Sequence, residues 1–449
     1  MFRKLLIANR GEIARRINRV AQGMGIATVA VFSDADAKLP FVREADQAVR
    51  IGPPPAKESY LNTGALLEAA RTTGADAVHP GYGFLSESAD FARSCTDAGL
   101  SFVGPPPESL ARMKDKSQAR QIARAAGVPI VPGTTDVVAD AADAVRQAQE
   151  IGFPILCKAA AGGGGIGMGV AKDEAELEKV FRQCSDRASS AFGRSGVYLE
   201  RYFPSPRHIE VQILADAHGS YLHCLERECS IQRRHQKVVE EAPSPLFGPH
   251  PGPQQVQPLF DPAIKAARAF HYANAGTAEF LYAEGSFHFI EMNARLQVEH
   301  PITELTTGVD LIGWQLRIAA GEPLTLKQEQ IRRTGAALEF RIYAEDPVRF
   351  FPSPGLLKVF RPPTGEGIRW DGGYEEGNEV TPYYDPMLGK LIVFGETRAQ
   401  AISTAVPALE SFAVEGVKTN IPLHLRILRS SAFLAGQLST SFLNTLAAA

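Results

Sequence analysis

The 449-residue sequence is 45% hydrophobic and 22% charged, the balance of a soluble globular protein, and its length suggests about three domains. A net charge of −3, with Lys and Arg scattered among Asp and Glu, argues against a nucleic-acid binder. No apolar run reaches the ~20 residues needed to cross a bilayer, and five cysteines (95, 157, 184, 224 and 229) fit neither a disulfide framework nor a CxxC metal pattern.

Arg3-Lys-Leu-Leu-Ile-Ala8 reads as a strand that leaves no room for a signal peptide before it, so a cytoplasmic location is expected. A helical period through Val20 and a buried strand at Ala27 to Phe32 complete a βαβ unit. The rhythm continues with helices near 64–73 and 89–98 and strands near 75–78 and 100–103, which predicts an open parallel sheet with helices on both faces. Asn9-Arg-Gly-Glu12 occupies the place of a dinucleotide GxGxxG without matching it, which speaks against nicotinamide binding. His79-Pro-Gly-Tyr-Gly-Phe-Leu-Ser-Glu87 lies at a strand's C-terminal end, either a ligand loop or a structural one.

Pro105-Pro-Pro107 marks a boundary, followed by a helical segment from Glu108 to Ala126. Ile155-Leu-Cys-Lys158, a run with six glycines between 162 and 169, and Val170-Ala-Lys172 form a strand, a loop and a returning strand. Glycines let backbone N–H groups approach phosphate oxygens, and Lys158 adds charge, so a mobile phosphate lid is expected ahead of a plain hairpin. Val197 to Phe203 and Arg207 to Leu214 read as strands. Arg233, Arg234, His235 and Lys237 then cluster between acidic residues, as a phosphate- or carbonate-facing set or as an internally paired surface strand.

The strands at 277–282 and 287–299 are expected to fold into a hairpin about Ala283-Glu-Gly-Ser286, placing Glu279 opposite Glu291. Glu291, Asn293, Arg295, Gln297 and Glu299 fall at every second position and would share one strand face. Two opposed carboxylates repel unless a cation lies between them, and Glu and Asn oxygens suit Mg²⁺ or Mn²⁺; a solvated face is the alternative. A helix from Val309 to Ala320 precedes strands near 336–343, 355–360 and 388–394 and a helix at 398–412, a largely antiparallel subdomain.

These motifs, from Ile7-Ala-Asn-Arg-Gly-Glu-Ile13 through Gln232-Arg-Arg-His-Gln-Lys-Val-Val-Glu-Glu-Ala-Pro243 and Glu291-Met-Asn-Ala-Arg-Leu-Gln-Val-Glu-His-Pro301 to Glu339-Phe-Arg-Ile-Tyr-Ala-Glu-Asp-Pro347, resemble biotin carboxylases of the ATP-grasp fold over nearly the whole chain. The resemblance implies an α/β fold in three parts: an N-terminal domain at 1–113, an ATP-grasp domain at 114–330 with a lid at about 131–203, and a C-terminal domain at 331–449. It implies that Lys116, Lys158, Gly164 and Gly165 touch ATP phosphates, and that Glu200, Arg201, Tyr202, Phe203, His208, Gln232 and His235 take the adenosine part. Glu279, Glu291 and Asn293 match metal ligands, and Lys237, Arg295, Gln297 and Val298 match a bicarbonate site. Glu299 matches the general base and Arg341 the residue facing biotin.

The implied activity is carboxylation of biotin through carboxyphosphate. No Met-Lys-Met attachment sequence occurs, so biotin is expected on a separate biotinyl carrier protein, with carboxyltransferase subunits downstream and a homodimer by resemblance. Ile166, Ala161 and Arg201 depart from the family pattern. Ile166 keeps open a catalytically impaired nucleotide-binding assembly subunit, and the fold alone keeps open a ligase with another acceptor.

Overall fold

Five strands, β1 (Lys4–Ile7), β2 (Ala27–Ser33), β3 (Gln47–Gly52), β4 (Ala77–His79) and β5 (Ser101–Phe102), form a parallel sheet ordered β3-β2-β1-β4-β5. The computed structural model describes residues 1–159, 168–192, 196–234, 236–248 and 251–448, with backbone only at 116, 159, 188, 191, 192, 447 and 448. The expected βαβ start is present: helix Gly11–Gly23 buries Ile13, Ala14, Ile17, Val20 and Ala21 against the sheet, and Gly25 at φ +76 turns the chain into β2. Strand order reverses at β1, where open α/β sheets bind ligands. There the Asn9 amide donates to the carbonyls of Pro80 and Tyr82 at 2.7 and 2.8 Å, locking the first motif to the glycine loop. Gly81 has φ +63, and a Cβ on it would lie 2.9 Å from that amide nitrogen, so only glycine fits.

The helical segment after the triple proline breaks in two, Pro107–Lys114 and Lys116–Ala125, because Asp115 leaves helical geometry to cap the second. Beyond it, β6 (Ile155–Ala159), β7 (Met168–Ala171) and β8 (Val197–Arg201) make an antiparallel sheet ordered β7-β6-β8. Helices Ala141–Ile151 and Glu174–Phe192 cover it through Ala144, Ala148, Leu177 and Phe181, a core separate from the rest. The strand-loop-strand expectation holds for the flanks; the glycines from 162 to 167, with Ala161 and Ile166, lie outside the described residues.

The largest sheet contains β9 (Arg207–Ala215), β10 (Tyr221–Arg233), β11 (Gln236–Ala242), β12 (Asn274–Ala283), β13 (Ser286–Asn293), β14 (Ala336–Tyr343), β17 (Ile368–Gly372) and β19 (Met387–Gly395). It is antiparallel and ordered β13-β12-β9-β10-β11-β14-β19-β17. Short pairs complete the C-terminal part, β15 (Gly355–Leu356) with β18 (Glu379–Val380) and β16 (Val359–Arg361) with β20 (Ala413–Glu415). The expected strand at 355–360 is thus two strands in different sheets. β14, β17 and β19 do not form a subdomain sheet of their own: β14 pairs with β11, so the antiparallel strands of the last third extend the central sheet.

Arg227 of β10 lies at the middle of this sheet, fully buried. It reaches Glu210, Gln212 at 2.7 Å, Thr303 at 2.9 Å and Thr277 at 3.1 Å. Arg227→Met takes from the buried Glu210 one of its two cationic partners and from Gln212, Thr277 and Thr303 their donor, and should cost about 3–5 kcal/mol, read by urea unfolding.

Candidate active site

Three glutamates on neighbouring strands form one row. Glu279 of β12 pairs in register with Glu291 of β13, as expected from spacing, and on its other side with Glu210 of β9, which was not expected. The hairpin joining β12 and β13 is the two-residue turn Glu284-Gly285, both at positive φ, the geometry that matches strand twist. On the other side Glu210 faces Arg227. Such a row is tolerable only because cations enter it.

The chief of these is Lys237 of β11. Its ammonium reaches Glu210, Glu279 at 2.8 Å and Glu299 at 2.7 Å. Burial opposes its charge, yet the three carboxylates raise its pKa well above the ordinary lysine value. Burial likewise pushes Glu279 upward, but Lys237 and then His208, whose Nε2 lies 3.3 Å away, hold it well below the carboxylate range. Glu299 behaves in the same way: burial opposes ionisation, and Lys237, Arg341 and Arg227 together win.

Arg341 of β14 donates to Glu299 at 3.0 Å and through Nε to Glu240 at 2.6 Å. Glu240 is pushed up to about 7, first by burial and then, against Arg341, by the charge of Glu299.

The segment following β13 departs from expectation. The strand ends at Asn293; Arg295 to Val298 are irregular, and Glu299 stands at the N-cap of helix His300–Thr307. The five alternating polar residues therefore do not share a strand face. Leaving the strand lets the segment fold back over the sheet, and the side chains still converge. Arg295 donates to Asn293 Oδ1 at 3.0 Å and to Gln297 Oε1 at 2.8 Å, while Gln297 donates to Glu279 at 3.3 Å. The Val298 carbonyl accepts from Lys390 at 2.6 Å.

A second group lies on the smaller sheet. Lys158 of β6 is ion-paired with Glu200 of β8, which also binds Arg120 at 2.6 Å. Arg201 donates to the Phe153 carbonyl and reaches Glu284 of the hairpin turn at 3.4 Å. The backbone of Tyr202 donates to Pro154, and Phe203 stacks on His288 with ring centres 5.1 Å apart. Gln232 pairs in register with Lys237 and donates to the Cys229 carbonyl. Gly164, Gly165 and His235 lie outside the described residues, and Lys116 begins a helix with only its backbone described.

The basic cluster divides. Arg233 is taken by Glu345, Arg234 is exposed, and Lys237 alone among the described members faces the site. Glu210, Arg227, Glu240, Arg120 and Lys390 did not stand out from the sequence. Glu210 had a signal, since it alternates with His208 in a strand read correctly.

The donor set fits a divalent cation. Glu279 and Glu291 are adjacent hard oxygen donors, and the Asn293 side-chain oxygen, which accepts from Arg295 at 3.0 Å, is a third of the same kind. His208, Glu210 and Glu279 also bring one ligand atom each within 4.8 Å of one another.

Family models for the biotin carboxylase N-terminal domain, the carbamoyl-phosphate synthase L chain ATP-binding domain and the biotin carboxylase C-terminal domain match residues 1–110, 115–327 and 339–445. The biotin carboxylase of Halalkalibacterium halodurans is 52% identical over 443 residues, 98% of this chain and 97% of that one. This chain belongs to the biotin carboxylase family. Biotin carboxylase 1 of Bacillus subtilis is 48% identical over 99% of both chains. Biotin carboxylase of Campylobacter jejuni, solved in a beta-gamma-ATP complex, superposes with a TM-score of 0.93 at 42% identity over 99% of both chains. The biotin carboxylase domain of Hydrogenobacter thermophilus 2-oxoglutarate carboxylase, solved as a dimer with MgADP, ADP and bicarbonate, gives 0.91 at 44% identity, covering 99% of this chain and 98% of that one. The fold is thus that of the ATP-grasp biotin carboxylases.

Because Glu279 and Glu299 are held below the ordinary glutamate value, their contribution to stability is full above the unfolded value and lost as pH falls through the folded ones. Lys237→Met removes the leading attraction and raises both folded values. Its melting temperature should begin to fall at a higher pH than that of the wild type, read between about pH 7 and about pH 3.

Proposed function

We propose that this protein carboxylates biotin, consuming ATP and bicarbonate and releasing ADP and phosphate. The observation that carries the reading is that one buried carboxylate, Glu299, is shared by Lys237 and Arg341, so the cation for bicarbonate and the cation for biotin act on one group.

Bicarbonate enters as an anion between Lys237 and Arg295, with Gln297 and the backbone at Val298 completing its contacts. Lys158, Lys116 and the backbone of the glycine loop, including Gly164 and Gly165, hold the phosphates. Glu200 to Phe203, His208, Gln232 and His235 surround the adenosine. Glu279, Glu291 and Asn293 would hold Mg²⁺ or Mn²⁺, which supplies charge neutralisation on the β- and γ-phosphates. Bicarbonate oxygen forms a bond to the γ-phosphorus while the bond to ADP breaks, giving carboxyphosphate. Fixed cations and a fixed geometry are what this step needs, since bicarbonate is a weak nucleophile.

Glu299 is ionised but weakly basic in the network described above. An anion that draws Lys237 away removes the largest pull on Glu299 and raises its proton affinity, so bicarbonate creates its own general base. Once carboxyphosphate yields CO₂ and phosphate, the phosphate takes the N1′ proton of biotin, and Arg341 stabilises the negative charge on the ureido oxygen. Nitrogen then attacks carbon to give carboxybiotin. Biotin arrives on a biotinyl carrier protein, carboxyltransferase subunits take the product onward, and the chain acts as a cytoplasmic homodimer. In support of partner chains, a relative from Ruegeria pomeroyi at 46% identity is named propionyl-CoA carboxylase alpha chain.

Purified protein supplied with MgATP, bicarbonate and free biotin should form ADP in a bicarbonate-dependent manner; absence of that dependence defeats the reading. Arg295→Ala should lower the rate at least about a hundredfold with nucleotide binding intact, as expected for loss of an aligned charged donor. Glu291→Gln should raise the Mg²⁺ concentration for half-maximal rate about tenfold, as expected for the loss of a charged ligand.

A further inference from the structure

Arg341 of β14 and Lys390 of β19 are direct partners in the antiparallel ladder. Like charges so placed repel, and an ordinary sheet avoids them. Here they grip consecutive residues of the irregular segment: Arg341 takes the carboxylate of Glu299 at 3.0 Å, and Lys390 takes the carbonyl of Val298 at 2.6 Å.

Lys390 is fully buried, in a position where a hydrocarbon side chain would cost less. Its ladder partner on the other side, Asp371, is occupied by two hydrogen bonds from Arg369. The ammonium turns instead to the N-terminal part of the chain, 3.3 Å from Oε1 of Glu12 on the first helix, which also accepts from the Tyr82 hydroxyl. It lies 6.0 Å from the centre of the Tyr82 ring. One ammonium thus touches the start of the first helix, the glycine loop at the switch point, and the peptide that leads into Glu299.

We propose that Lys390 is a positioning residue for the reaction, resting on the bicarbonate reading above. By holding the Val298–Glu299 peptide it sets the Glu299 carboxylate between Lys237 and Arg341. By sharing its charge with Glu12 it ties that setting to the Tyr82 turn. The N-terminal domain is in this way part of the bicarbonate site without contacting the anion.

The test is steady-state kinetics on full-length Lys390→Met and Glu12→Gln, with bicarbonate and ATP varied separately and melting temperature measured alongside. In Lys390→Met the bicarbonate KM should rise, or kcat fall, by at least about tenfold, as expected for loss of a charge-assisted hydrogen bond, while the ATP KM stays within about twofold. Glu12→Gln preserves shape and an acceptor for Tyr82; it should show the same split at a few-fold and decides the matter if Lys390→Met does not fold. An equal rise in both KM values, or an unchanged bicarbonate KM and kcat in a folded variant, overturns the proposal and marks Lys390 as structural only. A wild-type protein without bicarbonate-dependent ATP cleavage overturns the functional reading and this proposal with it; an active wild type with unsplit variants overturns the proposal alone.

Discussion

Everything around the site depends on one ammonium group held among three buried carboxylates. Glu210, Glu279 and Glu299 belong to three separate chain segments, and Lys237 is the point where they meet. Carboxylates removed from water are costly unless each is paired and hydrogen-bonded, so the cations are conditions for the sheet as well as for chemistry. Arg227, the register partner of Glu210 on the next strand, neutralises one end of the row, and Arg341 pairs with Glu299. The consequence is a network of shared partners: Lys237 serves three carboxylates and Glu279 serves Lys237, His208 and Gln297, so the loss of any one partner alters the proton affinity of what is left.

The continuity of the large sheet makes this convergence possible. β11 carries Lys237 and Glu240, β14 carries Arg341, and the two strands are hydrogen-bonded neighbours. The last third of the chain therefore supplies its arginine at a distance set by strand spacing, a more rigid connection than a domain contact. The smaller sheet is linked through side chains instead, Arg120 on Glu200, Arg201 on Glu284 and the stack of Phe203 on His288. Its core is its own, built chiefly from residues of its two helices and three strands.

Strand pairing and the opposition of Glu279 to Glu291 were legible because they follow from local periodicity and a two-residue turn. The run from Arg295 to Glu299 was misread as strand for the same reason: alternation persists there, but the chain breaks away and then enters a helix at His300. Alternation reports which residues can share a face, whereas leaving the sheet is a tertiary event. Glu240 and Lys390 were invisible on similar grounds. Lys390 sits among apolar strand neighbours and Glu240 beside a second glutamate, Glu241, that nothing local distinguishes from it, and the partner of each lies far along the chain, 92 residues away in Lys390's bond to Val298 and 101 in Arg341's bond to Glu240. Four strands of the parallel N-terminal sheet were legible because their apolar runs are set locally, whereas the edge strand β3, with Gln47, Ala48 and Arg50 exposed, was missed.

The row from Glu210 to Glu291 also fixes the alignment of the sheet. Ala278 and Phe280, on either side of Glu279, are fully buried on the opposite face. A shift of β12 by one residue would put an apolar side chain among the cations and a carboxylate into the hydrocarbon core, and both faces would fail together. Misaligned folding intermediates are penalised twice, once by solvation and once by charge. The buried ion pairs that shape the site thereby also select the strand register.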